Sequence, residues 1–228
     1  MILAAHQPAY LPWLGYLDKI ARADVFVFMD TVQFEKNSFI NRNRIKTPQG
    51  PQWLTVPVKT KGHLSATLRT TEVDDTQRWR DKHVRSIAMN YRRAPHFARC
   101  FPQLQQLLSF GEHALAELCW RQMEFWLREL GIGTHAVRAS ELPVTGTKSA
   151  LVLAYCRHFG ASRYISGILG RDYLLESEFA AAGVSVEFQE YHHPIYPQLW
   201  GEFLPRLSIV DAWMNCGPET GALLEHVS

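Results

Sequence analysis

No two of the four cysteines, Cys100, Cys119, Cys156 and Cys216, form a Cys-x-x-Cys pair, and their wide spacing argues against a zinc ribbon or a dense disulfide framework. They read as reduced, mostly buried thiols. No apolar run reaches membrane-spanning length and no positively charged leader precedes the first apolar residues, so the expectation is a cytoplasmic chain without a membrane span. Charge of one sign is also lacking: 24 Lys and Arg against 22 Asp and Glu leave a net charge of +2. That balance lacks the electrostatic footprint of a nucleic-acid binder and leaves room for a small anionic substrate. Repeats, low-complexity runs and flexible linkers are missing too. With 228 residues, the chain is expected to form one α/β domain over residues 1–228, in which 75–130 make a mainly helical layer or subdomain. Neither GxxxxGK[ST] nor GxGxxG occurs, and there is no nucleophile elbow or cysteine–histidine signature.

What is present begins at the first residue. Ile2 to Ala5 is an apolar run that reads as a buried strand, with His6 and Gln7 at its tip and Pro8 and Pro12 restricting the loop beyond. A helix is expected from about Trp13 to Ala23, then a second apolar strand, Asp24 to Asp30, ending in a carboxylate. Two parallel strands joined by a helix bring His6 and Asp30 to one sheet edge, where open α/β sheets bind ligands. Phe34 to Lys46, rich in Asn and Arg, reads as a functional loop, and Gln52 to Val58 as a short strand. From Asp75 to Leu130 the pattern is helical: Trp79, His83, Ile87 and Tyr91 share one stripe, and Leu115, Leu118, Cys119, Met123, Trp126 and Leu127 another. Alternation resumes with a segment at His135 to Ala139, a helix at Thr147 to Phe159 and a strand at Ala161 to Ser166. A last strand at Val184 to Glu190 and a helix around Ser208 to Asn215 complete the chain. The expected class is a Rossmann-like α/β fold with a mostly parallel sheet and a helical insertion.

Polar residues gather at the expected strand tips: His6 and Gln7, Asp30 and Gln33, Ser166 to Asp172, and His192 with His193. Any one of them could simply cap a turn; their convergence points to a site. His6 and His193 are candidate proton acceptors because imidazole titrates near neutral pH, with Asp30 placed to orient or charge either. In Ser166-Gly-Ile-Leu-Gly-Arg-Asp-Tyr173 a strand gives way to glycines and a helix start, a geometry that can present backbone N–H groups to phosphate, with Arg171 supplying charge. Arg42 and Arg44 can clamp an anion through guanidinium forks or belong to a solvated loop. His192, His193, His6 and Asp30 are ligand types, but adjacent histidines point different ways, and no metal is assigned. Candidate substrate contacts are Gln7, Tyr10, Lys19, Gln33, Arg42, Arg44, Ser166, Gly167, Gly170, Arg171 and Gln198.

Six separated motifs carry a resemblance. His6-Gln-Pro-x-Tyr-Leu-Pro-Trp-x-Gly-Tyr-x-x-Lys19, Asp30-x-Val-Gln-Phe34, Asn41-Arg-Asn-Arg-Ile45, Ser166-Gly-x-x-Gly-Arg-x-Tyr173, His193-Pro-x-Tyr-Pro-Gln198 and Leu207-Ser-Ile-Val-Asp211 through Asn215-Cys-Gly217 resemble the WbqC-like family of bacterial proteins. That family is associated with O-antigen and other surface-polysaccharide gene clusters and with some natural-product pathways. The resemblance implies a sugar-modifying or acyl-transfer role. A fainter one is to nucleotidylyltransferase-like enzymes such as pantothenate synthetase, which activate a carboxylate as an adenylate; their HxGH motif stands here as Trp13-Leu-Gly-Tyr16, without either histidine. The resulting expectation is an enzyme that transfers an acyl or aminoacyl group to an amino sugar or related amine, with a nucleotide-linked sugar as substrate and ATP as candidate cofactor. The alternative is a non-catalytic protein that binds a glycan precursor or a partner, for which Trp53, Tyr196 and Trp200 offer stacking surfaces. A homo-oligomer is compatible with either reading.

Overall fold

The computed structural model describes residues 1–59 and 66–224. Its centre is a five-stranded, wholly parallel sheet made of β1 (Ile2–His6), β2 (Val25–Phe28), β5 (His135–Arg138), β6 (Arg163–Ser166) and β7 (Ser185–Phe188). The spatial order is β5-β2-β1-β6-β7. Counting only these strands, the order is 3-2-1-4-5, the doubly wound Rossmann arrangement expected from the alternating apolar runs. Winding reverses between β1 and β6.

Side chains alternate across the sheet, so each face gathers its own core. Leu3, Ala5, Val25, Val27 and Tyr164 pack against α5 (Lys148–Phe159) and against Phe179 of α6 (Glu176–Ala181). Ala4, Phe26, Phe28 and Ile165 face the larger core. It is built from α1 (Leu14–Ala21), α2 (Trp79–Tyr91), α3 (Phe97–Ser109), α4 (Leu115–Glu129) and α7 (Ile209–Cys216). Trp126 and Trp213 lock α4 to α7 with ring centroids 5.2 Å apart at near-perpendicular planes, a pairing that adds about 0.5–1.5 kcal/mol to the burial of their area.

The helical stretch anticipated between residues 75 and 130 is thus three helices. The Asn-Arg-Asn-Arg segment is not the loop expected from its polarity. It opens β3 (Arg42–Thr47), which pairs antiparallel with β4 (Gly50–Thr55) in a separate hairpin. Its period-two alternation buries Asn43 at 1% exposure and turns the arginines outward. An amide can stand in for an apolar residue there because the Asn43 Nδ2–H donates to the Leu11 carbonyl at 2.7 Å and its Oδ1 accepts from Arg44 N at 2.8 Å.

Candidate functional site

β1 and β2 stay in register as far as His6 and Phe28, whereas β1 and β6 pair only as far as Ala4 and Ile165. Past that point the two strands part at their C-terminal ends, where the strand order reverses and open α/β sheets form their binding crevice. Lys19 of α1 fills the gap between them. Only 2% of this residue is exposed, and its Nζ donates to the Ala5 carbonyl at 3.1 Å, a backbone group no longer engaged by the ladder. Nζ lies 4.0 Å from where a Cβ on Gly167 would stand. Among the described residues no carboxylate forms an ion pair with Lys19. Burial without a counter-charge pushes its pKa from 10.5 down to about 7.

His6 stands beside it. Its ring meets Tyr16 edge-on at 5.0 Å and Trp13 at 5.9 Å between centroids. Nδ1 lies 2.9 Å from the Gln7 carbonyl; a carbonyl only accepts, so Nδ1 carries the proton and Nε2 keeps its lone pair. Burial, together with the positive charge of Lys19, pushes the His6 pKa down to about 3. At neutral pH the imidazole is therefore an uncharged hydrogen-bond acceptor and a weak base.

The loop between β1 and α1 is fixed from three sides. Leu11 holds a left-handed backbone at φ 42°, a conformation that costs roughly 1–3 kcal/mol in a residue other than glycine. Its N–H donates to Gln122 Oε1 at 2.9 Å and its carbonyl accepts from Asn43, while the Ile209 N–H reaches Pro12 O at 2.6 Å. The first turn of α1 is roofed as well: Gln189 donates to Gly15 O at 2.9 Å and to Asp18 Oδ2 at 2.7 Å. A Cβ at position 15 would fall 2.9 Å from the Tyr191 ring. Glycine is required there for that approach, and the helix N-terminus at which Rossmann proteins seat a pyrophosphate is covered by this chain's own residues.

A line of rings leads away from the crevice. Trp13 packs against Phe39 at 5.2 Å, and Phe39 against Trp53 at 5.7 Å. Arg42 and Arg44 lie over Trp53, their guanidinium carbons 4.4 Å and 5.5 Å from its centroid. Crevice and arginines thus form the two ends of one aromatic surface.

The structure brings His6, Lys19, Ser166 and Gly167 to this crevice, with Gln7 following His6 at its mouth. Ser166 is buried and donates to the Gly167 carbonyl at 3.0 Å, and Gly170 is tucked so closely beneath it that a Cβ would meet Ser166 Oγ at 1.9 Å. Other candidates lie elsewhere. Asp30 accepts from Ser140 N at 2.9 Å and Ser140 Oγ at 2.6 Å, tying the tip of β2 to the turn after β5. Gln33 forms an isolated bridge with Thr67. Tyr10 is in the core, its hydroxyl 2.8 Å from His83 Nδ1. Arg171 stacks on Phe188 and pairs with Glu190 at 3.6 Å.

His193 sits among Tyr191, Tyr196 and Phe203, and burial lowers its pKa. Gln198 accepts from Lys46 Nζ at 3.0 Å. That lysine, with 1% exposure, belongs to a buried network in which Asp211 accepts from Tyr91 at 2.7 Å and Tyr196 at 2.8 Å. Neither Lys46 nor the pinning amide of Gln122 was singled out from sequence. Gln122 is one polar residue on an otherwise apolar helix stripe, which is the signal it left; Lys46 left none, because its strand is polar apart from Ile45. Among the described residues no group of three His, Cys, Asp or Glu is gathered as a metal would require, and no helix is long and apolar enough to cross a membrane.

Fold and crevice together define a doubly wound α/β protein with its polar centre at the reversal of strand order. A model of the WbqC-like protein family matches residues 7–222, and the chain belongs to that family. It is 35% identical over 226 residues to the uncharacterized protein Rv1507c of Mycobacterium tuberculosis, an alignment that covers 98% of this chain and 97% of the relative. No solved structure matches it.

Proposed function

We propose that the chain is a transferase that passes an acyl or aminoacyl group to the amine of an amino sugar or a related amine, with Lys19 as the proton acceptor. The observation that carries this reading is a buried amine at the strand-order reversal that pairs with no carboxylate among the described residues. Its pKa of about 7 lets it take up a proton near neutrality, the condition for efficient general-base catalysis. In the reaction the substrate amine attacks the activated carbonyl, a C–N bond forms, the bond to the leaving group breaks, and the amine's surplus proton passes to Lys19 Nζ. The free Nε2 of neutral His6 accepts a hydrogen bond from the attacking amine and aims its lone pair. Gln7, Ser166 and Gly167 contact the substrate at the mouth. His193, one ring beyond Tyr191, is the second candidate base. ATP is the candidate source of activation. The association of the WbqC-like family with surface-polysaccharide and natural-product gene clusters supports an amino-sugar acceptor.

The test is a thermal-shift screen of the purified protein with ATP, acyl-CoAs and nucleotide-linked amino sugars, in which a ligand at a hundred times its Kd adds about 2.7 kcal/mol. Turnover of the stabilising pair is then measured with wild type and Lys19→Met. Loss of turnover with the ligand-induced shift intact supports the assignment; undiminished turnover in Lys19→Met overturns it. The exposed rings of Phe39 and Trp53 favour a second reading, a non-catalytic binder of glycan precursors, which predicts stabilisation without turnover in the wild type.

A further inference from the structure

We propose that Arg42 and Arg44, with the exposed rings of Trp53 and Phe39, form the seat of a nucleoside diphosphate whose attached group runs along Trp13 to the Lys19 crevice. The attached group rests on the transferase reading above; the nucleotide seat stands on its own observations. Alternation along β3 places two guanidinium groups over one indole, and among the described residues neither forms an ion pair. Their partners are neutral oxygens: Arg42 donates to Asn37 Oδ1 at 3.3 Å and to the Asn37 carbonyl, and Arg44 to the Arg206 carbonyl at 3.3 Å. The Nε–H of each is buried with no acceptor among the described residues. Two adjacent like charges with donors to spare call for a multiply charged oxyanion, which guanidinium forks grip through paired hydrogen bonds.

Beside Arg42 a cleft of about 250 Å³ adds a third cation, Lys36, and the side chain of Asn41. Asn41 is 7% exposed, its Nδ2 donates to the Val56 carbonyl at 2.8 Å, and its Oδ1 is buried with no donor among the described residues. That acceptor calls for a donor, which a sugar hydroxyl supplies. Phe39 and Trp53 supply the third requirement, neighbouring aromatic residues 39% and 42% exposed, a surface on which a nucleobase stacks. Anion, hydroxyl and flat ring in one molecule make a nucleotide, and two arginines suit a diphosphate.

The experiment is isothermal titration of the purified chain with ADP, GDP, UDP and dTDP, and with inorganic pyrophosphate and uridine as the isolated halves. At least one nucleoside diphosphate is expected to bind saturably, at least tenfold more tightly than either half. The Arg42→Ala/Arg44→Ala and Trp53→Ala variants are each expected to lose tenfold or more. Arg42→Lys/Arg44→Lys, which keeps both charges and guards against a folding defect, is expected to lose severalfold with the loss of the forks. Absence of binding by every nucleoside diphosphate, unchanged affinity in the arginine variants, or pyrophosphate binding as tightly as the nucleotides would overturn the proposal. Lys19→Met keeps nucleotide affinity, so a failure of this inference and a failure of the transferase reading give different results.

Discussion

Replacing Lys19 by methionine should make the protein more stable in acid and less stable in alkali. Unfolded Lys19 holds its proton up to about pH 10.5, whereas the folded site releases it near 7. The unfolded chain therefore binds the extra proton between those values, so wild-type stability rises with pH across this window, and the burial penalty is complete below it. At about 1.4 kcal/mol per pKa unit, the penalty on the charged form is about 5 kcal/mol. Methionine has nearly the same length and no charge. It leaves the Ala5 carbonyl without its donor, a loss of about 1–3 kcal/mol. At pH 6 the variant should thus gain about 2–4 kcal/mol, and above about pH 10.5, where the lysine is neutral in both states, it should fall about 1–3 kcal/mol below wild type, with a crossing at about pH 8–10. Urea denaturation followed by tryptophan fluorescence at pH 6, 8 and 9.5 reads this difference directly, because tyrosines that titrate in the same alkaline range are common to both proteins and cancel. Equal stabilities at pH 6, or a difference that stays constant with pH, would refute the assignment of a charge buried without compensation.

His6 should give no imidazole titration in NMR spectra between pH 5 and 8 and should show the Nδ1–H tautomer; a midpoint near 6.5 would contradict its burial beside Lys19. Gly170→Ala should destabilise the turn after β6 by about 1–3 kcal/mol, as overpacking does. Adding Ser166→Ala, which removes the oxygen 1.9 Å from the new Cβ, should restore part of that loss, with non-additivity in the double-mutant cycle as the readout. Asp211→Asn should cost about 2–4 kcal/mol in urea denaturation, because both tyrosine hydroxyls lose a charged acceptor in a buried site; a cost below 0.5 kcal/mol would mean that solvent already reaches this network.

The sheet was legible because its strands announce themselves. Ile2 to Ala5 and Val25 to Phe28 are apolar on both faces, as a sheet covered on both sides demands, and Pro12 marks where the loop must stop before α1. β3 was not legible. A strand that reads Arg-Asn-Arg is polar on both faces, and only the distant backbone oxygen of Leu11 makes its inward asparagine acceptable. Lys19 was visible as part of a motif and as a candidate substrate contact, but not as a buried residue. Its burial arises because β6, far along the chain, closes beside β1, and no local pattern encodes that event. Asp30 looked free to tune a base, and Ser140, which occupies both its oxygens, lies too far away in sequence to be inferred. The tips of β1 and β6 were expected on one edge because strand polarity alone places them there, but that the two strands are adjacent was not legible.

The strap from Gln189 to Ile209 has a consequence for biosynthesis. It roofs α1 through Gln189 and Tyr191, and at its far end it fastens the first loop of the chain at Pro12. The loop after β1 and the first turn of α1 therefore receive hydrogen bonds from residues that are translated long after them. β1, the middle strand, must likewise wait for β6 to cover its open edge. Nascent chains arrested before the strap would carry a complete first βαβ unit and still lack a closed crevice. The crevice is thus completed only once the strap has been made.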